Sequence, residues 1–335
     1  MGVVNCRSCS CSHKDQEGEV GSEEVDLGPL HTKDHMALGQ FTGAPVNILI
    51  SAQKHVSTIV RIQTAWRAYQ ARKLSAQQRK TRRDNSNYFS THESKDSVKT
   101  QASREERPAY TFESGVVYKG QWRAGMRDGQ GEQIWLTGAK YVGDWKENKA
   151  HGRGIYTHAN GDIYEGEWGN DKANGVGVCR YANGSIYEGG WKQDQKDGYG
   201  TESWPDGSKY EGYYLMEKRH GFGTNTWKDG SSYVGQWVND SMHGKGTYTW
   251  PDGRRYEGDW GNGQMQGQGV FTWKDGRKYE GQYLNGKKHG YGIFAWPEGV
   301  VYSGGWKDGN QDGEGQETVE GVSQRGVWRD GQRIR

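Results

Sequence analysis

Tyr256-Glu257-Gly258-Asp259-Trp260, preceded by His243-Gly244-Lys245-Gly246, belongs to a phrase that recurs along most of this chain. Nine tyrosines carry it: Tyr118, Tyr141, Tyr164, Tyr187, Tyr210, Tyr233, Tyr256, Tyr279 and Tyr302, each 23 residues after the last. Two residues beyond each stands a glycine, from Gly120 to Gly304. Four residues beyond stands an aromatic ring: Trp122, Trp145, Trp168, Trp191, Tyr214, Trp237, Trp260, Tyr283 and Trp306. A glycine pair follows, as in Gly152 and Gly154, and each unit closes on a turn glycine, often as Asn160-Gly161, Asp206-Gly207 or Asp252-Gly253. A period held this strictly defines a repeat architecture.

The offsets spell a β-hairpin. Tyr, Gly and Trp alternate with polar residues at period two, which places them on one strand face. In the unit of Tyr164, Gly166 and Trp168, the residues Glu165 and Glu167 face the other way. The return strand begins at Gly177 and carries Cys179 and Tyr181 inward; equivalent slots hold Tyr156, Tyr248 and Phe271, or Trp204, Trp227, Trp250 and Trp273. The Asn-Gly and Asp-Gly pairs are predicted to supply the positive φ of tight hairpin turns. A glycine between two aromatics leaves room for neighbouring rings to lie over it. One hairpin alone is unstable, but a stack shares a single aromatic layer. The expected fold is therefore an all-β repeat. It is an elongated, single-layer antiparallel β-sheet solenoid of stacked hairpins, preceded by a partly disordered region with one helix.

This pattern resembles the MORN repeat family (membrane occupation and recognition nexus), whose unit reads roughly Tyr-Glu-Gly-x-Trp followed by His-Gly-x-Gly. The resemblance runs from about Tyr110 to Asp330. Phe112 and Gly115 match a return strand ahead of the first full unit, and Trp328 opens a last half-unit after a one-residue deletion. Membership implies protein-binding scaffolds of cytoskeletal and ciliary or flagellar assemblies, including radial spoke heads. Arrays of this family are also joined to lipid kinase and methyltransferase domains, for which this chain leaves no room.

Composition narrows the alternatives. Only 32% of the 335 residues are hydrophobic, yet 15 are Trp and 20 are Tyr, so an aliphatic core is excluded. Four cysteines, three of them crowded at the N-terminus, make no disulfide framework and fit a reduced, cytoplasmic compartment. Residues 1–107 hold 16 Lys or Arg against 12 Asp or Glu, and the remainder 28 against 30. The array is thus not basic, which weighs against nucleic acid and against anionic lipid as its own ligands.

Outside the array, residues 1–50 read as a disordered tail, 51–83 as a basic helix, 84–107 as a linker and 108–335 as the array. In the tail, Gly2 after Met1 permits N-myristoylation, with Cys6 and Cys9 available for a second acyl chain, because one chain anchors weakly. Zinc ligation by Cys6, Cys9, Cys11 and His13, or a plain Cys-rich tail, are the competing readings. Residues 57–83 lack Gly and Pro and are rich in helix formers. Within them, Ile62, Gln63, Trp66, Arg67, Tyr69 and Arg72 resemble an IQ motif, the helix that calmodulin-like light chains clasp. Ile59, Ile62, Trp66 and Tyr69 form an apolar stripe, and residues 54–83 hold nine basic residues and no acidic one. A calmodulin or centrin-like EF-hand partner is expected; a helix packed on the array, or on another acidic surface, is the alternative.

No catalytic constellation is present. The Gly-x-Gly pairs begin return strands rather than helices, so they are not phosphate loops. His151, His220, His243 and His289 share one repeat offset, which marks them as parts of the unit rather than as a unique catalytic base. The chain is read as a non-enzyme with no cofactor and no metal. The functional expectation is a scaffold with axonemal or other cytoskeletal partners. Its rival is a membrane-anchored, calmodulin-responsive adaptor or the regulatory subunit of a separate enzyme. Within the array, too few aliphatics exist to cover the rings, so Trp145, Trp168, Trp191, Trp237 and Trp260 are expected to line an accessible partner-binding groove.

Overall fold

The computed structural model describes residues 103–335. They form one open antiparallel sheet of 21 strands, from Glu105–Thr111 to Gln332–Arg333, with no helix among the described residues. Each strand pairs with its predecessor and its successor in the chain, as in Lys149–Thr157 with Ile163–Gly169 and that strand with Lys172–Arg180. The stacked-hairpin sheet expected from the period is therefore what the chain builds. The first strand opens at Glu105, three residues ahead of the boundary read from composition, and its register shifts between Arg107 and Tyr110, around Pro108. Proline is tolerated there because an edge strand can spare the donor.

Two turn types alternate, and they are not distributed as expected. Asn160-Gly161 and its equivalents do not form two-residue turns. The His158 N–H binds the Asp162 carbonyl and the Gly161 N–H binds the His158 carbonyl, with only Gly161 at positive φ (96°). That is a three-residue loop with glycine in the left-handed position. The Asn160 side chain accepts from the Asp162 N–H at 3.0 Å, and Asp206, Asp229, Asp252 and Asp275 do the same for the residue two further on. The two-residue turns lie at the other end of each hairpin, at pairs such as Asn170 (φ 54°) and Asp171 (φ 68°). Both central residues there are left-handed, as a type I′ turn requires.

The glycines line up across the strands. Gly131 pairs with Gly143, Gly143 with Gly154, Gly154 with Gly166 and Gly166 with Gly177, and the line continues to Gly315 and Gly326. Tyrosine rings lie over this aisle. A Cβ on Gly177 would stand 2.4 Å from the Tyr164 hydroxyl, closer than real contacts allow. The first glycine of each pair does different work. Opposite Glu167 the return strand carries an extra stretch around Gly175 (φ 122°), a β-bulge that shifts the register between Gly166 and Trp168.

Over the aisle runs an unbroken file of rings. Trp122, Tyr118, Trp145, Tyr141, Trp168 and Tyr164 follow one another edge to face, with centroids 5.1 to 5.3 Å apart. The same order continues through Tyr302 to Trp328. All nine frame tyrosines are fully buried. Each hydroxyl donates to a backbone carbonyl three residues on, as Tyr187 does to Gly190 at 2.9 Å. The Trp191 indole donates to the Gly177 carbonyl, and five other tryptophans repeat that bond. Edge-to-face pairs add about 0.5–1.5 kcal/mol each beyond burial. A single sheet thus covers its own core.

Candidate interaction face

Trp145, Trp168, Trp191, Trp237 and Trp260 retain only 2–3% exposure, so the expected groove of accessible tryptophans does not exist. The expectation failed because it treated the rings as lying side by side. Each indole instead stands edge-on between two tyrosines, and the glycine aisle lets the tyrosines lie low enough to close the file. What the core face leaves accessible is a different row. Trp135, His158, Tyr181, Trp204, Trp227, Trp250, Trp273 and Trp296 are half-buried.

These side chains sit where they do because each opens a three-residue loop. The Trp250 N–H binds the Arg254 carbonyl, and its own carbonyl accepts from Gly253. The ring is therefore carried at the margin of the sheet, one side against the core and the other toward solvent. Between Trp227 and Trp296 the margin is continuous. Trp227, Tyr248, Trp250, Phe271, Trp273, Phe294 and Trp296 stack in tilted pairs at 4.3 to 5.4 Å. Arg254 and Arg277 lie over Trp250 and Trp273 at 5.4 Å and also bind Asp252 and Asp275. The sequence did carry a signal for this row: a tryptophan directly ahead of the turn glycine, as in Trp250-Pro251-Asp252-Gly253, must lie at the sheet margin.

Next to the ring file the core turns polar in selected units. Where the return strand carries Ala150, Ala173, Met242 or Met265, the slot six residues on holds Tyr156, Cys179, Tyr248 or Phe271, all buried. Where it carries Arg127, Lys196 or Arg219, that slot holds an acceptor, whereas Lys288 lies over the Phe294 ring in that slot at 5.2 Å. Arg127 binds Gln133, Lys196 binds Glu202 at 2.5 Å, and Arg219 binds Asn225 at 3.2 Å. The cations also lie on rings, Arg127 over Trp145 at 4.4 Å and Arg219 over Trp237 at 4.5 Å. Sequence reasoning missed this row, although the paired exchange recurs at fixed spacing.

On the opposite face, an open depression of about 450 Å³ is lined by Arg104, Gln121, Arg123, Asp144, Lys146 and His151 among others. Burial pushes the neighbouring Asp128 carboxyl up, but the Arg104 hydrogen bond and the charges of Arg104 and Arg123 outweigh it and hold the group below the usual carboxylate range. Among the described residues, no group of three His, Cys, Asp or Glu is placed to hold a metal. His220, His243 and His289 lie in return strands beside the bulge glycines. The IQ-like residues Ile62, Gln63, Trp66, Arg67, Tyr69 and Arg72, and Gly2, Cys6 and Cys9, lie outside the described residues.

An open sheet of hairpin repeats with an aromatic margin defines a repeat protein of the interaction class. Its sequence matches the family described as MORN repeat in nine stretches, from residues 118–140 to 302–318, which together span more than half of the chain. The chain belongs to the MORN repeat family. No curated protein sequence matches it. Among solved structures it is similar to the wild-type TCP10 domain of Danio rerio CPAP in complex with a peptide of Danio rerio STIL. That likeness has 11% identity, 70% of this chain and 98% of that chain covered, and a TM-score of 0.39. A second likeness is to the G-box domain of the microcephaly protein CPAP, at 10% identity, 60% and 100% coverage, and a TM-score of 0.32. A third is to the TCP domain of Drosophila melanogaster SAS-4 with a proline-rich motif of Ana2, at 13% identity, 58% and 99% coverage, and a TM-score of 0.30. These likenesses carry no functional weight.

Proposed function

We propose that this chain is a non-enzymatic scaffold that engages protein partners along the aromatic margin of its array. The observation that supports the reading is the row of half-exposed tryptophans held at constant spacing on a rigid sheet. Aromatic anchors bury large area at small entropic cost, and they dominate protein interfaces. Replacing Trp250 and Trp273 together by alanine is expected to remove partners recovered with the wild-type chain. Loss of an anchoring tryptophan costs about 2 kcal/mol or more of binding. Circular dichroism is expected to stay β-like, because neither residue belongs to the buried file. A folded double variant that retains every partner would show that binding lies elsewhere.

The basic stretch at residues 57–83 extends the proposal to a calmodulin or centrin-like light chain, on the strength of its IQ-like residues and its acid-free charge. A peptide of that stretch is expected to bind such a protein. Ile62→Ala with Gln63→Ala should weaken it most, and Arg67→Glu should weaken it by reversing a charge that faces an acidic surface. Calorimetry showing no heat with calmodulin or centrin, with and without calcium, would remove this part. A place in a cytoskeletal or ciliary assembly, and a membrane hold through acylated Gly2 with Cys6 or Cys9, belong to the same proposal.

A further inference from the structure

Two repeat units depart from the rest in the same two places, and share two further features with the unit of Tyr187. In the units of Tyr210 and Tyr279, tyrosine replaces the tryptophan (Tyr214, Tyr283) and leucine follows it (Leu215, Leu284). A basic residue also turns toward the core (Arg219, Lys288), as Arg127 and Lys196 do in other units, and an aromatic ring stands between the paired glycines (Phe222, Tyr291), as Tyr199 does in the unit of Tyr187. The two units are 69 residues apart, which is three repeats or six strands. At about 4.8 Å per strand they stand about 29 Å apart across the sheet.

The departures put apolar groups on the face away from the ring file. Leu215 and Leu284 are each 42% exposed, and Tyr291 is 60% exposed. Leu215 pairs with Lys218, and Leu284 with Lys287, across the two-residue turns. Both lysines are exposed, and among the described residues neither stands in an ion pair. Of the carboxylates on these units, Glu211 is held by Lys209 and Glu280 by Lys278, and Glu217 accepts from the Lys196 N–H. Met216 adds to the first patch. It is 61% exposed and left-handed (φ 46°), in a turn slot held elsewhere by residues such as Asn170 and Asn239. A methionine gains nothing from that backbone, so its conformational cost buys only an exposed thioether at the patch rim.

We infer that these two units form a bivalent docking surface for a partner that presents an apolar side chain flanked by carboxylates, twice, about 29 Å apart. The surface is separate from the aromatic margin and stands or falls independently of it. The two patches differ in charge. One step beyond the pairs Tyr214 with Gly198 and Gly290 with Trp306, the strands carry Asp197 alongside Leu215 and Lys307 alongside His289, so the patch around Leu284 is the more positive and binds the motif more tightly.

The probe is a heptapeptide with one leucine between pairs of glutamates, used singly and as two copies joined by a flexible linker of about 27 glycine and serine residues, which spans about 29 Å. Binding to the full chain is followed by fluorescence polarisation. The tandem peptide is expected to bind at least tenfold tighter than the single one, as linked sites do. Leu284→Asp should reduce the tandem to the affinity of the single peptide, and Lys287→Glu should weaken binding more than Lys218→Glu. The lysine variants lie at exposed positions and serve if the aspartate variant loses its β-signal. Equal affinities for single and tandem peptides would overturn the inference. So would equal binding of a peptide with lysine in place of glutamate, or unchanged binding by the Lys218→Glu, Lys287→Glu double variant.

Discussion

Raising the pH from about 9 to about 11 is expected to unfold the array in one narrow step, because buried tyrosines must stay protonated to remain in the file. Burial pushes the Tyr118 and Tyr302 hydroxyls up to about 12. It pushes those of Tyr141, Tyr187, Tyr210, Tyr233, Tyr256 and Tyr279 higher still. The two lesser shifts belong to the ends of the file, where fewer neighbours cover the ring. Above pH 10 the unfolded chain releases these protons while the folded chain keeps them. Stability contributed by the shifts is therefore complete below pH 10 and is lost as pH rises toward the folded values. Eight groups losing about 1.4 kcal/mol each per pH unit remove about 11 kcal/mol per unit. That compares with a total stability of about 5–15 kcal/mol for ordinary domains. Tyrosinate absorbance and circular dichroism, recorded together, check this. Both should change in a single shared step; independent titration of the tyrosines near 10 with the β-signal intact would contradict it.

Replacing Glu202 by leucine is expected to cost about 3–5 kcal/mol, the penalty for a buried charge that loses its partner. Lys196 and Glu202 retain 8% and 11% side-chain exposure, and the Tyr214 hydroxyl also donates to Glu202, at 2.8 Å. The single change strands an ammonium and a hydroxyl together. A second change should repair part of the loss. Lys196→Met with Glu202→Phe copies Met265 and Phe271, which fill the same two slots three units on. A fully apolar pair of similar volume is commonly neutral or better than the ion pair it replaces, so the double variant should recover the ammonium's share of the loss and stay about 1–3 kcal/mol below wild type, the cost of the Tyr214 hydroxyl that still lacks its acceptor. Urea midpoints of the three proteins decide it. A single variant that costs less than about 1 kcal/mol, or a double variant no better than the single, would mean that the pair is not desolvated as its burial indicates.

Much of the fold could be read from the chain because its physics is local. Period two assigned Tyr164, Gly166 and Trp168 to one face, and glycine at Gly177 announced that something must lie over it. Turn chemistry was legible only by residue type. Asn160-Gly161 spelled a turn, but the distinction between a two-residue and a three-residue loop rests on whether Asn160 itself becomes left-handed, and it does not. The type I′ turns at Asn262-Gly263, Asn285-Gly286 and Asp308-Gly309 do carry that signal, but the same turn also forms at Glu147-Asn148 and Met216-Glu217, which spell no turn at all. There the sheet on both sides dictates the backbone, and local preference is overruled.

The candidate site was less legible for a related reason. Whether Trp191 or Trp204 reaches solvent depends on rings 23 residues away in neighbouring hairpins, not on its own strand. Sequence alone determined the number of units, their strands and the face that each ring shares, since these follow from spacing and steric size within one unit. Only the tertiary structure decided which ring row closes into a core and which is left at the margin. It also decided where Lys196 finds Glu202, and which leucines remain on the outer face. Burial is a sum over neighbours from several hairpins, and that sum is settled only when the strands take their register and the tyrosines settle over the glycines.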